Sequence, residues 1–186
     1  MSHDPALEAH EQHEHAEHAE HDPFVARVAI TVAFLAVLAA ATGSLETIED
    51  GRAITSESEA VLEQDRATDA WNEYQADSLK RHMYLLAADQ GGAQADKYRA
   101  TAKQQADKQK DVRQQATDFE AERERLVQAS QGHEGRHHWL TGAATMLEIG
   151  IALSTVAIIT RRRFLWSGAL LLGAGGIALL AAAYVT

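Results

Sequence analysis

Three stretches of this chain are too long and too apolar to remain in water unaccompanied. Residues 28–45 carry no charge over 18 positions, residues 139–160 carry one charge (Glu148) over 22, and residues 164–185 carry none over 22. A helix rises about 1.5 Å per residue, so even the shortest run reaches roughly 27 Å, close to the ~30 Å hydrocarbon core of a bilayer. Burial in a soluble core would need apolar partners, and outside these runs the chain offers few. Hydrocarbon gives the backbone nothing to hydrogen-bond, so each stretch must pair its amides internally, as a helix does. The expectation is an all-α integral membrane protein with transmembrane helices over 23–45, 139–160 and 164–185. Pro23 behind Asp22 suits the first position of a helix. Arg161, Arg162 and Arg163 form a basic turn (161–163) that alone separates the last two spans, which then make a tight antiparallel pair. Small residues four apart (Ala36/Ala40, Ala39/Gly43, Gly150/Ser154, Ala169/Gly173, Ala174/Ala178) let such helices approach closely. Trp139, Trp166 and Tyr184 fall near span ends, where amphipathic aromatics anchor at the interface.

Residues 46–138 read as a water-soluble insert, rich in good helix formers and free of proline. Gly91-Gly92 marks the break between two long helices. In the second, Tyr98, Ala102, Gln105, Gln109, Val112, Ala116, Phe119, Arg123, Leu126 and Ser130 alternate four and three apart, a heptad seam thinned by its polar members. In the first, Ile54, Val61, Ala67, Trp71, Tyr74, Leu79, Leu85 and Leu86 are the expected packing face. Together they predict a long antiparallel helical hairpin, coiled-coil-like, with Trp71, Tyr74, Gln75, Tyr98 and Phe119 as packing residues. A continuous helix over 93–130 would extend roughly 57 Å. So sparse a seam is marginal alone, which favours a homo-oligomer.

The positive-inside rule orients the spans. Arg27 flanks the first on its N-terminal side, and with three spans it shares a face with Arg161, Arg162 and Arg163. That face is cytoplasmic, which puts the N-terminus inside and residues 46–138 and the C-terminus outside.

Residues 1–22 form a separate His/Glu-rich tail, with Glu at 8, 11, 14, 17 and 20. A strict period of three gathers no apolar face, so the tail is expected to be disordered or transiently helical. Its lack of a basic n-region argues against a signal peptide. His10, His13, His15, His18 and His21 are two or three apart, a pattern that takes up Zn, Ni or Cu weakly, as a tag does. The bland alternative is a solvated acidic tail that gains charge as imidazoles protonate near pH ~6.5. No cofactor is required. Seventeen Lys+Arg against twenty-seven Asp+Glu leave the chain at −10, unsuited to nucleic acid, and the absence of cysteine removes thiolate and disulfide chemistry.

The segment Ala70-Trp71-Asn72-Glu73-Tyr74-Gln75-Ala76-Asp77-Ser78-Leu79-Lys80-Arg81 resembles the W-x-x-Y-Q-A-K-S-I-K motif of a bacterial membrane protein family known only as domain of unknown function 4337. Thr160-Arg161-Arg162-Arg163-Phe164-Leu165-Trp166, between an apolar span and a Gly/Ala-rich one, is similar to the end of that family. The likeness covers most of 23–186. It departs at Asp77, where a Lys is more usual, and at Glu148, where a neutral polar residue is expected. The resemblance implies three spans, a helical insert and a place in the bacterial inner membrane, and no activity.

Glu148 is the intramembrane polar residue, and a mid-span carboxylate costs a few kcal/mol if charged. It is therefore expected to face other helices, as interhelical glue to a hydroxyl such as Thr31 or Thr42, or as a proton or cation relay. His133 and His137 sit in a polar connector loosened by Gly135, a weak alternative metal position. Trp71, Tyr74 and Gln75 belong to the hairpin's packing before any ligand platform. No phosphate loop, HExxH helix or nucleophile elbow occurs, so no catalytic residue is assigned and the chain reads as a non-enzyme. Three functions follow. The first is a membrane scaffold that presents a helical stalk for self-association. The others are a metal- or pH-responsive factor acting through the tail, and a small oligomeric channel or transporter using Glu148.

Overall fold

A computed structural model gives the structure, described for residues 22–185, so His10, His13, His15, His18 and His21 lie outside the described residues. Every regular element among the described residues is an α-helix: α1 (Pro23–Asp89), α2 (Ala95–Thr160) and α3 (Arg163–Ala182). All three contain a stretch long and apolar enough to cross a membrane. Asp22 caps α1 by accepting the Phe24 backbone N–H at 2.9 Å, with Pro23 as the first helical residue. No break separates the first apolar run from the chain that follows it, and 133–139 is regular helix inside α2 rather than a loosened connector. One exposed Gly135 costs a helix about 1 kcal/mol, too little to interrupt 66 residues of good formers.

α1 ends where Gly91 and Gly92 take φ of 77° and 104°, a left-handed geometry that side chains disfavour. The basic turn is shorter than its three arginines suggest. Arg161 takes φ 51°, Arg162 is the N-cap of α3 and Arg163 is already helical.

The chain divides into two compact units, Asp50–Glu134 and the remainder. Within Asp50–Glu134, contacts pair rising positions on α1 with falling positions on α2. Ser130 Oγ donates to the Ala53 carbonyl at 3.1 Å, Trp71 Nε1 to Glu120 at 2.8 Å and Gln109 Nε2 to the Tyr74 carbonyl at 3.2 Å. Tyr84 and Tyr98 stack with ring centres 6.2 Å apart. Every member of the seam expected from Tyr98 to Ser130 is buried or half-buried. On α1 the inward positions are Ala53, Ser56, Ala60, Glu63, Ala67, Ala70, Tyr74, Asp77, Arg81, Tyr84 and Ala88, again three and four apart. That corrects the expected packing face. Ile54, Val61, Leu79 and Leu86 are 56%, 59%, 65% and 65% exposed, and Leu85 is exposed too, while Ala67, Trp71 and Tyr74 do turn inward. The seam selects by period, and these apolar residues fall beside it.

The other unit packs with the same period. Val28, Leu35, Thr42 and Glu49 on α1 are buried and seven apart, as are Leu140, Leu147 and Ser154, and Ala143, Gly150 and Ala157, on α2, and Ala169 and Gly176 on α3 with its C-cap Ala183. Of the five small-residue pairs, Gly150/Ser154 and Ala169/Gly173 are buried, while Ala36/Ala40 and Ala174/Ala178 face outward. The closest approaches lie at glycines. A Cβ on Gly176 would come within 2.8 Å of Leu147 Cγ and 3.1 Å of the Ala143 carbonyl oxygen. One on Gly173 would meet only the end of the Leu35 side chain, at 2.7 Å.

Gly176→Ala is therefore expected to destabilise the protein by about 1–3 kcal/mol, because a branch-point carbon and a backbone oxygen must both move. Gly173→Ala is expected to cost less, since a terminal methyl can rotate away. Gly168→Ala, where nothing lies within 4 Å, should be neutral or stabilising by up to about 1 kcal/mol. Thermal unfolding of the three variants in detergent micelles checks the order.

Candidate functional site

The polar groups of Asp50–Glu134 gather on Asp77. Its side chain is 0% exposed, because position 77 falls on the inward seam of α1. Oδ1 accepts from Lys80 Nζ at 3.0 Å, one turn along the same helix, and Oδ2 forms an ion pair at 3.0 Å with Lys108 Nζ of α2. Lys108 also donates to Glu73 at 2.6 Å, so one ammonium bridges two carboxylates of the facing helix. Lys80, and then Lys108, hold the Asp77 carboxyl below the ordinary Asp range against the desolvation that burial imposes. Glu73, and then Asp77, raise the Lys108 ammonium above its ordinary value. Asp77 is thus a cross-link between helices. Beside it, Trp71, Tyr74 and Phe119 pack on Ala70, Val112 and Ala116, with Trp71 and Tyr74 edge to face at 5.6 Å. Gln75 does not join them: one residue past Tyr74 it has rotated off the seam, and it is exposed.

In the other unit Glu148 is exposed, and no hydrogen bond or ion pair joins it to another described residue. This corrects the expectation that it faces neighbouring helices. Leu147 occupies the inward position, and the next residue is turned outward by about 100°. Neither hydroxyl expected to receive it is hydrogen-bonded to it. Thr42 donates to the Leu38 carbonyl, and Thr31 donates to the Arg27 carbonyl while accepting from Trp166 Nε1 at 3.1 Å.

Sequence reasoning missed a polar set between α1 and α2. Thr141 donates to Glu46 at 2.6 Å, and Arg136 Nη1 lies 3.7 Å from Glu49. His137 Nδ1 is 3.5 Å from the Glu46 carbonyl and its ring meets His138 edge to face. The signal was present, since Glu49 continues the spacing of Val28, Leu35 and Thr42. Among the described residues no three His, Asp or Glu side chains come together in a way that holds a metal. Arg161 lies 3.9 Å from Asp22, and Arg162 sits over the Phe164 ring at 6.0 Å. Arg27 and Arg163 line a cavity of about 320 Å³ with Trp166.

These features define a helical protein with three stretches apt for a membrane and polar cross-links between its helices. Residues 24–186 match the family model described as a domain of unknown function (DUF4337), and the chain belongs to that family. Neither a curated protein nor a solved structure matches it.

The Asp77 cluster predicts a pH dependence. A depressed carboxyl contributes stability that is present above its unfolded value, about 3.9 for Asp, and lost as pH falls through the lower folded value. The raised Lys108 contributes below its unfolded value of about 10.4 and loses that contribution as pH rises through the folded one. Circular dichroism melts of the full chain in micelles should therefore show losses on both the acid and alkaline sides. Asp77→Asn should flatten the acid limb below about pH 4 relative to the parent. Unchanged acid dependence in that variant would remove the cluster as its source.

Proposed function

We propose that the chain is a non-enzymatic, three-span protein of the bacterial plasma membrane whose role is self-association and scaffolding. Residues 46–138 form an antiparallel, coiled-coil-like hairpin, presented as a stalk outside the cytoplasm together with the C-terminus, while Arg27, Arg161, Arg162 and Arg163 hold the other face inside. The observation that carries the reading is the outward Glu148 in the middle of an apolar stretch. Thr145, Ala152 and Thr155 are exposed on the same face and keep the three-four spacing with it. Thr145 and Thr155 donate their hydroxyl hydrogens to the carbonyls of Thr141 and Ile151, which leaves their oxygens free to accept. A second copy inserted in the same direction carries the same stripe at the same depth, so two-fold pairing brings carboxyl and hydroxyl groups together where lipid supplies no partner. The exposed Ile54, Val61, Leu79 and Leu86 give the soluble part a further apolar face for the same purpose.

An oligomeric pore would use the same outward Glu148, and ion flux separates it from a scaffold. The metal- or pH-responsive reading rests on the tail alone, outside the described residues.

The chain has no cysteine, so single substitutions report cleanly. Thr145→Cys and Thr155→Cys are expected to give disulfide-linked dimers in oxidised membranes, and Leu171→Cys, outward on α3, is not. Glu148→Ala should weaken the dimer about fivefold, the equivalent of about 1 kcal/mol for an intramembrane hydrogen bond. Gln94→Cys should be labelled by an impermeant reagent in intact cells. Cross-linking through position 171 and not 145 or 155 would refute the pairing face. Flux through reconstituted vesicles that Glu148→Gln abolishes would move the reading to a pore.

A further inference from the structure

Two helices begin at the same place in the unit that contains α3. α1 starts at Pro23 and α3 at Arg163, and between their first turns lies a cavity of about 320 Å³ lined by Asp22, Pro23, Phe24, Arg27, Arg163 and Trp166. Two arginines, one from each helix, thus line one small space. Neither Arg27 nor Arg163 forms an ion pair with another described residue, although Asp22 is at hand. Asp22 lines the same cavity, and its carboxylate is partly occupied: Oδ1 accepts the Phe24 N–H at 2.9 Å and Oδ2 lies 3.9 Å from Arg161. Trp166 and Phe24 meet edge to face at 6.0 Å, and the Trp166 N–H is held by Thr31 at 3.1 Å. The aromatic wall is therefore fixed and presents rings, not donors.

Like charges brought together at the edge of an apolar body repel each other, and an anion between them reverses the sign of that interaction. The positive ends of α1 and α3 add to the same field. Guanidinium is planar and presents paired N–H groups that match the oxygens of a phosphate, so two arginines lining one cavity suit a tetrahedral oxyanion better than a single carboxylate. Basic pockets between membrane helices at headgroup level are a recurring site for such groups.

We infer that this cavity binds a phosphate group through Arg27 and Arg163, supplied either by the headgroup of an anionic lipid or by free phosphate. The lipid source rests on the membrane-spanning reading, and the phosphate source does not.

The test uses the full chain in a neutral detergent, with bound lipid counted by native mass spectrometry after addition of phosphatidylglycerol or phosphatidylcholine. Phosphatidylglycerol is expected to be retained in preference to phosphatidylcholine. The double variant Arg27→Gln/Arg163→Gln should weaken its binding at least about tenfold, through loss of two charge-assisted contacts. Arg162→Gln, whose side chain lies over Phe164 and does not line the cavity, should bind as the parent does. Inorganic phosphate tested alone, by calorimetry on the same sample, separates the sources. Retention of phosphatidylglycerol in excess phosphate assigns the site to lipid, and arginine-dependent uptake of phosphate alone assigns it to the free ion. Equal retention of both lipids with no phosphate uptake would overturn the proposal. So would an Arg162→Gln effect as large as that of the double variant, because binding would then follow net charge and not this cavity. Thermal melts of each variant confirm that loss of binding is not loss of fold.

Discussion

Helices approach one another only as far as the side chains between them permit, and along this chain many inward positions are held by the smallest residues available. Ala60, Ala67, Ala70 and Ala88 on α1, Ala102, Ala116, Ala143 and Ala157 on α2, and Ala169, Gly173 and Gly176 on α3 are all buried. In the membrane arrangement proposed above, the same device acts differently in the two units. In water an alanine seam buries little apolar area, and at roughly 25 cal/mol per Å² it contributes correspondingly little. In hydrocarbon area burial between helices contributes almost nothing, and close backbone contact with its dispersion attraction takes over. Glycine at 173 and 176 therefore sits where Leu35 and Leu147 of the neighbouring helices press closest.

Such a seam is locally weak in register, because along Ala53, Ala60 and Ala67 a slide of seven positions replaces one alanine with another. The polar contacts supply what the seam lacks. Lys108 holds Glu73 and Asp77 at once, and Gln109 holds the Tyr74 carbonyl. A slide would leave the Asp77 carboxylate buried without its cation, and an uncompensated buried charge is far more costly than the pair is stabilising. In the other unit Thr141 on Glu46 and Arg136 near Glu49 perform the same service. The buried ionic groups act chiefly as specificity devices, with the closeness of the helices left to alanine and glycine.

Much of this was legible in the sequence. Charge-free length identified the apolar stretches, Asp22-Pro23 marked the start of α1 and Gly91-Gly92 its end, and the spacing from Tyr98 to Ser130 named the inward face of α2. The inward face of α1 was not, because hydropathy drew attention to Ile54, Val61, Leu79 and Leu86, whereas a seam of Ala, Ser, Glu and Asp has no hydropathic contrast. Period alone would have found it. Glu148 was misdirected by a sound cost argument applied to a single chain. The seven-residue spacing of Leu140, Leu147 and Ser154 already placed position 148 outside. The positive-inside argument put Arg27 and Arg163 on one face, but that they line one cavity had no local signal, since it arises only when the starts of α1 and α3 are brought together by folding.

Each unit, taken by itself, carries on its outer surface residues ill-suited to the surroundings proposed for it. The soluble one exposes Ile54, Val61, Leu79 and Leu86, and the apolar one exposes Glu148. A single chain can relieve neither, because the inward positions are already filled and a rotation that buried Glu148 would expose Leu147. Exposed apolar side chains gain from any apolar partner, so the first mismatch says little about what that partner is. The second is narrower. A carboxyl at mid-depth requires a polar group near the same depth on a facing helix, and a parallel copy supplies one without further design, in its own Glu148 and in Thr145 one turn away. Because that requirement is met by symmetry alone, self-association is the simplest arrangement that relieves both mismatches together.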